Sequence, residues 1–202
     1  PEGSTAQAYL AGILNVSGQA RIGVGGSADV EFRGDVNLTN DLSLGHDTTG
    51  EAVCKFYSGD LSTPSLIIGN NGTASFAWRA LGGTPTLDTG AVYVGKGATG
   101  NGTLTIEDLT IAPTFNLIVG DAGTGEVTQM QSDVTLSSAL ELGVQAGSSG
   151  AYTVTTRTSN AALSVPSLVV GKAGSGDFQQ YRQNNGTSAN VAMTGDLVIA
   201  ED

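Results

Sequence analysis

A four-residue phrase returns along this chain: an apolar residue, any residue, an apolar residue, then Gly. It reads Leu42-Ser43-Leu44-Gly45, Leu66-Ile67-Ile68-Gly69, Val92-Tyr93-Val94-Gly95, Leu117-Ile118-Val119-Gly120, Leu140-Glu141-Leu142-Gly143 and Leu168-Val169-Val170-Gly171. Ala20-Arg21-Ile22-Gly23 is a weaker first copy, and Leu197-Val198-Ile199-Ala200 closes the series. The closing residues, called anchors below, lie 22 to 29 residues apart. A period of that length marks a solenoid, in which each repeat is one coil that cannot bury its apolar face alone.

Within one repeat, the apolar residues at −3 and −1 from the anchor flank a variable −2 position. Strict alternation places −3 and −1 on one face of a strand and −2 on the other. A second apolar pair falls at −9 and −7, as Leu14 and Val16, Val36 and Leu38, Val134 and Leu136, and Val191 and Met193; Leu163 and Val165 stand one residue out of phase. A third patch follows the anchor by seven or more residues: Val30 and Phe32, Phe76, Leu104 and Ile106, Val127, Tyr152 and Val154, Phe178. Three short strands per coil predict an all-β parallel β-helix of about eight coils. It forms a single domain over 1–202, with half-coils at 1–19 and 197–202. Segment 4–14 is Ala-rich and free of Pro, as a cap helix would be, but Leu14 and Val16 sit on core positions of the first coil, which favours strand.

Composition agrees. Gly at 30 of 202 residues is about twice the usual share and has no three-residue period, while charged residues at 13% are about half the usual share. Gly recurs five residues after the anchor, at Gly50, Gly100, Gly125 and Gly176, with Ala28 and Ala74 in two copies. Stretches such as Gly120 to Gly125 read as corners between strands. They are not phosphate-binding loops, which need a following helix and Lys-Ser/Thr.

The segment Val92-Tyr93-Val94-Gly95-Lys96-Gly97-Ala98-Thr99-Gly100-Asn101-Gly102-Thr103-Leu104-Thr105-Ile106, with Leu117–Gly125 and Leu168–Gly176 close behind, resembles the autotransporter-associated repeat of bacterial type V secreted proteins and PEP-CTERM proteins. That repeat has a strand ending in Val-Gly, a Gly-rich turn and a Thr-rich strand. The resemblance covers about two thirds of the chain and implies an exported, surface-associated bacterial β-helix, extracellular or on the cell surface.

The ends of the chain read as two parts of one coil. From Ala200 to Gly3 of a second copy the offset repeats the five residues from Gly120 to Gly125. A solenoid without caps leaves open strand edges, and a head-to-tail contact that does not close gives a filament. The expected function is therefore a structural subunit of an extracellular filament or matrix fibre. Its partners are copies of itself, and its interface is Leu197, Val198, Ile199 and Ala200 against Gly3, Tyr9, Leu14 and Val16. The alternative is a passenger fragment of a longer surface adhesin. The start on Pro1 instead of Met reads as a processed or excised piece of a larger product.

Chemistry is sparse. His46 is the sole histidine, on a turn where a solvated ring is expected, and Cys54 is the sole cysteine, expected to be a small buried apolar residue. No acid/base pair or metal-ligand set stands out, so the chain is read as no enzyme, with no cofactor and no metal. A net charge of −11 disfavours nucleic acid and anionic lipid, and no run of 18 apolar residues provides a membrane span. Sequons at Asn15, Asn37, Asn71, Asn101 and Asn185 are glycosylation acceptors by pattern; the three Asn-Gly-Thr copies are equally explained as turns.

Overall fold

A computed structural model describes residues 4–81, 85–111 and 115–200. The described residues form 24 strands and no helix. The first two coils hold β1 (Thr5–Ala11), β2 (Leu14–Val16), β3 (Ala20–Ile22), β4 (Ser27–Arg33), β5 (Val36–Leu38) and β6 (Leu42–Leu44). The next two hold β7 (Glu51–Ser58), β8 (Asp60–Ser62), β9 (Ser65–Ile68), β10 (Thr73–Arg79), β11 (Thr86–Asp88) and β12 (Ala91–Val94). Then follow β13 (Asn101–Glu107), β14 (Thr110–Ile111), β15 (Asn116–Val119), β16 (Thr124–Met130), β17 (Asp133–Thr135) and β18 (Leu140–Leu142). The last two coils hold β19 (Ser149–Thr156), β20 (Ala161–Val165), β21 (Leu168–Val170), β22 (Ser175–Arg182), β23 (Ala189–Met193) and β24 (Leu197–Ile199).

Each strand lies parallel to its equivalents one coil away, so the chain is a three-sided parallel β-solenoid of eight coils. Sheet 1 runs β1-β4-β7-β10-β13-β16-β19-β22, and sheet 2 runs from β3 to β24 through the strands that precede each anchor. The third side is divided into two four-stranded sheets, one from β2 to β11 and one from β14 to β23.

The alternation of the sequence dictates which side chains fill the interior. In sheet 2 the register Val92↔Leu117↔Leu140↔Leu168 stacks the −3 residues in one buried column. Val119 and Leu142 are likewise buried, and Val170 is half-buried at the open end; Ile118, Glu141 and Val169 lie half-exposed on the outer face. Sheet 1 contributes Val30, Cys54, Phe76, Leu104, Val127, Tyr152 and Phe178 as one inward column. A second column holds Phe32, Phe56, Trp78, Ile106, Gln129 and Val154. Burying one such large side chain stabilises the fold by roughly 1.5–3 kcal/mol. Gln129 is the polar member of this core, and its amide is fully used. Nε2 donates to the carbonyls of Ser132 and Ala162 at 2.7 Å each, and Oε1 accepts from Tyr152 at 2.8 Å.

All seven Gly anchors, and Ala200, have φ between +56° and +74°, the left-handed corner that their position predicted. The glycine five residues later needs correction. The turn from anchor to sheet 1 alternates in length: Gly23, Gly69, Gly120 and Gly171 precede their strands by four residues, and Gly45, Gly95 and Gly143 by six. Gly50 and Gly100 therefore end long turns, while Gly125, Gly176, Ala28 and Ala74 lie inside strands. There they share a column with Ala6, Ala52, Gly102 and Gly150. A Cβ on Gly125 would sit 2.1 Å from the Val94 carbonyl oxygen, which explains why this column holds only small residues. The structural counterpart of Gly125 in the first coil is Ala6 and not Gly3, which lies outside the described residues. Segment 5–11 is strand β1, paired Thr5↔Ser27, as its place in the repeat indicated.

Candidate assembly surface at the two open ends

At the C-terminal end β22, β23 and β24 each have a neighbour on one side only. Their inward residues lose the cover that every internal coil receives. Leu197 is 51% exposed, Ile199 68% and Met193 38%, although the same positions one or two coils earlier are buried. With Phe178, Val191 and Leu168 they line an open, mainly apolar cavity of about 480 Å³. Val198 lies half-exposed on the outer face of β24, and Ala200 takes the corner conformation at φ 56°.

At the other end β1, β2 and β3 are the free edges of sheet 1, the third side and sheet 2. Leu14 and Val16 point inward and are half-buried, in register with Val36 and Leu38. Leu10, Ala20 and Ile22 are likewise half-buried against the core. Tyr9 is placed differently from expectation. Its partners Glu31 and Lys55 are outward positions of sheet 1, and Tyr9 is 62% exposed with the Arg33 guanidinium 5.8 Å from its ring centroid. The inward positions of β1 are Ala6, Ala8 and Leu10. No anchor within the described residues precedes β1, so its phase could not be counted from one.

Both ends present apolar inward residues in the same register. Continuing the stack side by side sets Phe178 over Ala8, Leu197 over Ala20, and Ile199 over Ile22. Phe178 and Leu197 thus meet smaller residues, and Ile199 meets a residue of its own size. Asp177 is the charged residue and Gln180 the polar one in the lining of the C-terminal cavity, and ion pairs lie on outer surfaces: Lys55 with Asp29 at 3.1 Å, Arg79 with Glu107, and Lys172 with Glu141 at 3.0 Å. The bond to Asp29 holds the Lys55 ammonium above its ordinary pKa.

The remaining candidates separate by burial. Cys54 is wholly buried between Val30 and Phe76, and loss of solvation pushes its thiol pKa up, so it behaves as a small core residue. His46, expected to be solvated, is half-buried. Its Nδ1 lies 2.9 Å from Ser43 Oγ and 3.2 Å from Asn70 Nδ2. The −2 position of one coil and the residue after the next anchor meet on one corner, and the anchor spacing alone predicts that meeting. No triad results: Asp47 Oδ1 stands 3.9 Å from Nε2, beyond hydrogen-bond distance, and Ser43 is buried. All five sequon asparagines are exposed; Asn71 and Asn185 lie on turns, but Asn101 is the first residue of β13, so its Asn-Gly-Thr is not a turn. Among the described residues no group of three or more His, Cys, Asp or Glu side chains is placed to hold a metal, and no helix is long and apolar enough to cross a membrane.

Fold and ends together define a parallel β-solenoid whose apolar interior is open at both termini of the described stack. Comparison of the chain with protein-family models, curated proteins and solved structures finds no match.

Proposed function

We propose that this chain is a structural subunit of an extracellular filament or matrix fibre, joined head to tail through its open ends. The observation that carries the reading is the uncovered C-terminal cavity, with Leu197 and Ile199 more than half exposed, opposite an N-terminal coil whose apolar Leu10, Leu14, Val16, Ala20 and Ile22 are likewise only half-buried. Backbone donors and acceptors on the edge strands of all three sides accept a further coil by strand addition. The alternation of turns supports the same reading. After the short turn at Gly171 a long one is due, and β1 of a second copy is followed by the short turn at Gly23, so a stacked copy continues the phase.

The test is a negative-stain micrograph of the purified chain with sedimentation across a concentration series. Unbranched fibres that lengthen with concentration support the filament. A chain that stays monomeric when concentrated removes it and leaves the second reading, a segment of a longer surface adhesin whose next coil is covalently attached.

A further inference from the structure

A groove of about 380 Å³ runs along the outer face of the first four coils, where the turns of the third side rise beside sheet 2. Its floor is the −2 column in the register Arg21↔Ser43↔Ile67, and its wall is the residue that follows successive anchors: His46, Asn70 and Lys96. Strands about 4.8 Å apart set Arg21 at one end and Lys96 toward the other. The volume suits a small ligand of one or a few rings.

The chain carries eight Lys and Arg against nineteen Asp and Glu. Arg33, Lys55, Arg79 and Lys172 each form an ion pair with a neighbouring carboxylate. Arg21 and Lys96, both lining the groove, form none among the described residues, nor do Arg157 and Arg182 outside it. Arg21 bonds the Gln19 amide oxygen, and Lys96 Nζ rests 4.3 Å from the Tyr93 ring centroid. Both cations keep donors for a ligand anion. His46 lies between them, its Nδ1 3.2 Å from Asn70 Nδ2 and 2.9 Å from Ser43 Oγ. Ile67 and Pro64 supply an apolar floor, and Asn40 and Asp41 put amide and carboxylate groups at the rim, where hydroxyls find partners.

From these observations we infer that the groove binds a short acidic oligosaccharide bearing carboxylates, with Arg21 and Lys96 holding the anionic groups and the Ile67–Pro64 floor meeting a ring face. An apolar floor with amide and carboxylate at its rim is the surface a sugar ring needs. Arg21 and Lys96 select the charged sugar over a neutral one. This rests on the groove alone and stands whichever way the assembly test falls.

The experiment is a calorimetric and NMR titration of the soluble chain with trigalacturonate, beside maltotriose, inorganic sulfate and sodium acetate. Trigalacturonate is expected to bind with salt-sensitive affinity and to shift the His46, Asn70 and Lys96 amides, whereas maltotriose should not bind. Arg21→Gln with Lys96→Gln should weaken binding by roughly tenfold or more, as expected for the loss of charge-assisted contacts. Arg157→Gln with Arg182→Gln removes the same charge elsewhere and should leave the affinity unchanged. Both pairs alter partly or fully exposed side chains, and circular dichroism checks the fold. No binding, equal loss with both pairs, or equal binding of maltotriose overturns the site. Sulfate or acetate competing as well as the trisaccharide reduces it to an adventitious ion only, which also overturns it.

Discussion

Two anchors with the same backbone sit in different surroundings. Gly120 has φ +69°, and a Cβ there would lie 2.2 Å from the carbonyl oxygen of Ser149, in the strand that crosses the next coil. Gly171 has φ +72°, but its nearest contact would be 3.2 Å away, because no later coil covers it. Ala in the left-handed region costs about 1–2 kcal/mol by itself. Gly171→Ala should therefore lower the melting temperature of the monomer modestly, and Gly120→Ala distinctly more, since backbone must move as well. Equal effects in a thermal melt would remove the close-approach account. Tyr152→Phe should cost about 1–3 kcal/mol, because the Gln129 oxygen it satisfies is buried. Burial raises the pKa of both Cys54 and Tyr152. Raised folded values mean stability is full below the unfolded values and falls as pH climbs past about 8.5 for the thiol and about 10 for the phenol. A urea midpoint that is flat from neutral pH to about 8 and then declines is expected. Cys54→Ala should delay the onset, and an unchanged profile in that variant would exclude the thiol as its source.

The three kinds of strand differ in how plainly the sequence announces them. Sheet 2 was legible residue by residue, because its strands end at the anchor and the turn follows at once. Sheet 1 was blurred by the alternating turn: counting a fixed distance from Gly45 passes over Cys54 and Phe56, which its long turn delays. The third side was blurred twice. Leu61 and Leu87 stand eight and not nine residues before their anchors, and their next inward neighbours are Thr63 and Thr89, polar yet buried. Each hydroxyl donates to corner carbonyls, Thr63 to Asn40 and Ser65, Thr89 to Pro64 and Ala91. No apolar pattern reveals a residue whose burial depends on backbone partners. The corner after sheet 1 hid for the converse reason: Asp108 and Gln131 adopt φ 57° and 52° without glycine. The open ends were half legible, since Leu197 and Ile199 follow the −3/−1 rule and Tyr9 precedes every described anchor. Amide exchange should report the break in the third side. Among the described residues β11 and β14 each have one ladder neighbour, and β14 has two residues. Their amides are expected to exchange faster than those of β10 and β13 in the same coils. Uniform protection around these coils would mean that the third side is continuous in solution.

For the whole molecule the proposed head-to-tail joint would supply the contacts that the open ends of one copy lack. Eight coils at about 4.8 Å each give an axial repeat of roughly 38 Å per subunit in a fibre, measurable as a layer line in averaged micrographs. Ile199→Asp would place a carboxylate in the shared apolar column. An unpaired buried charge is strongly unfavourable, so fibres should be lost while the monomer, where Ile199 is exposed, stays folded. The corner offers a test of geometry. Within the chain, each Gly anchor from Gly23 to Gly143 lies where a Cβ would come within 2.6 Å of the strand of a later coil. In a head-to-tail joint, β1 of the second copy brings that strand to Gly171, and β4 of the second copy brings it to Ala200. Ala200 already carries a Cβ, so a joint of this kind would be looser at this corner than the coils inside a subunit. Ala200→Gly should tighten it and lower the critical concentration by roughly fivefold, for about 1 kcal/mol of relieved contact. Gly171→Ala should raise the critical concentration at little further cost to the monomer. The opposite response of either variant, measured by sedimentation against concentration, would mean that the joint does not continue the coil register and that the ends meet in some other way.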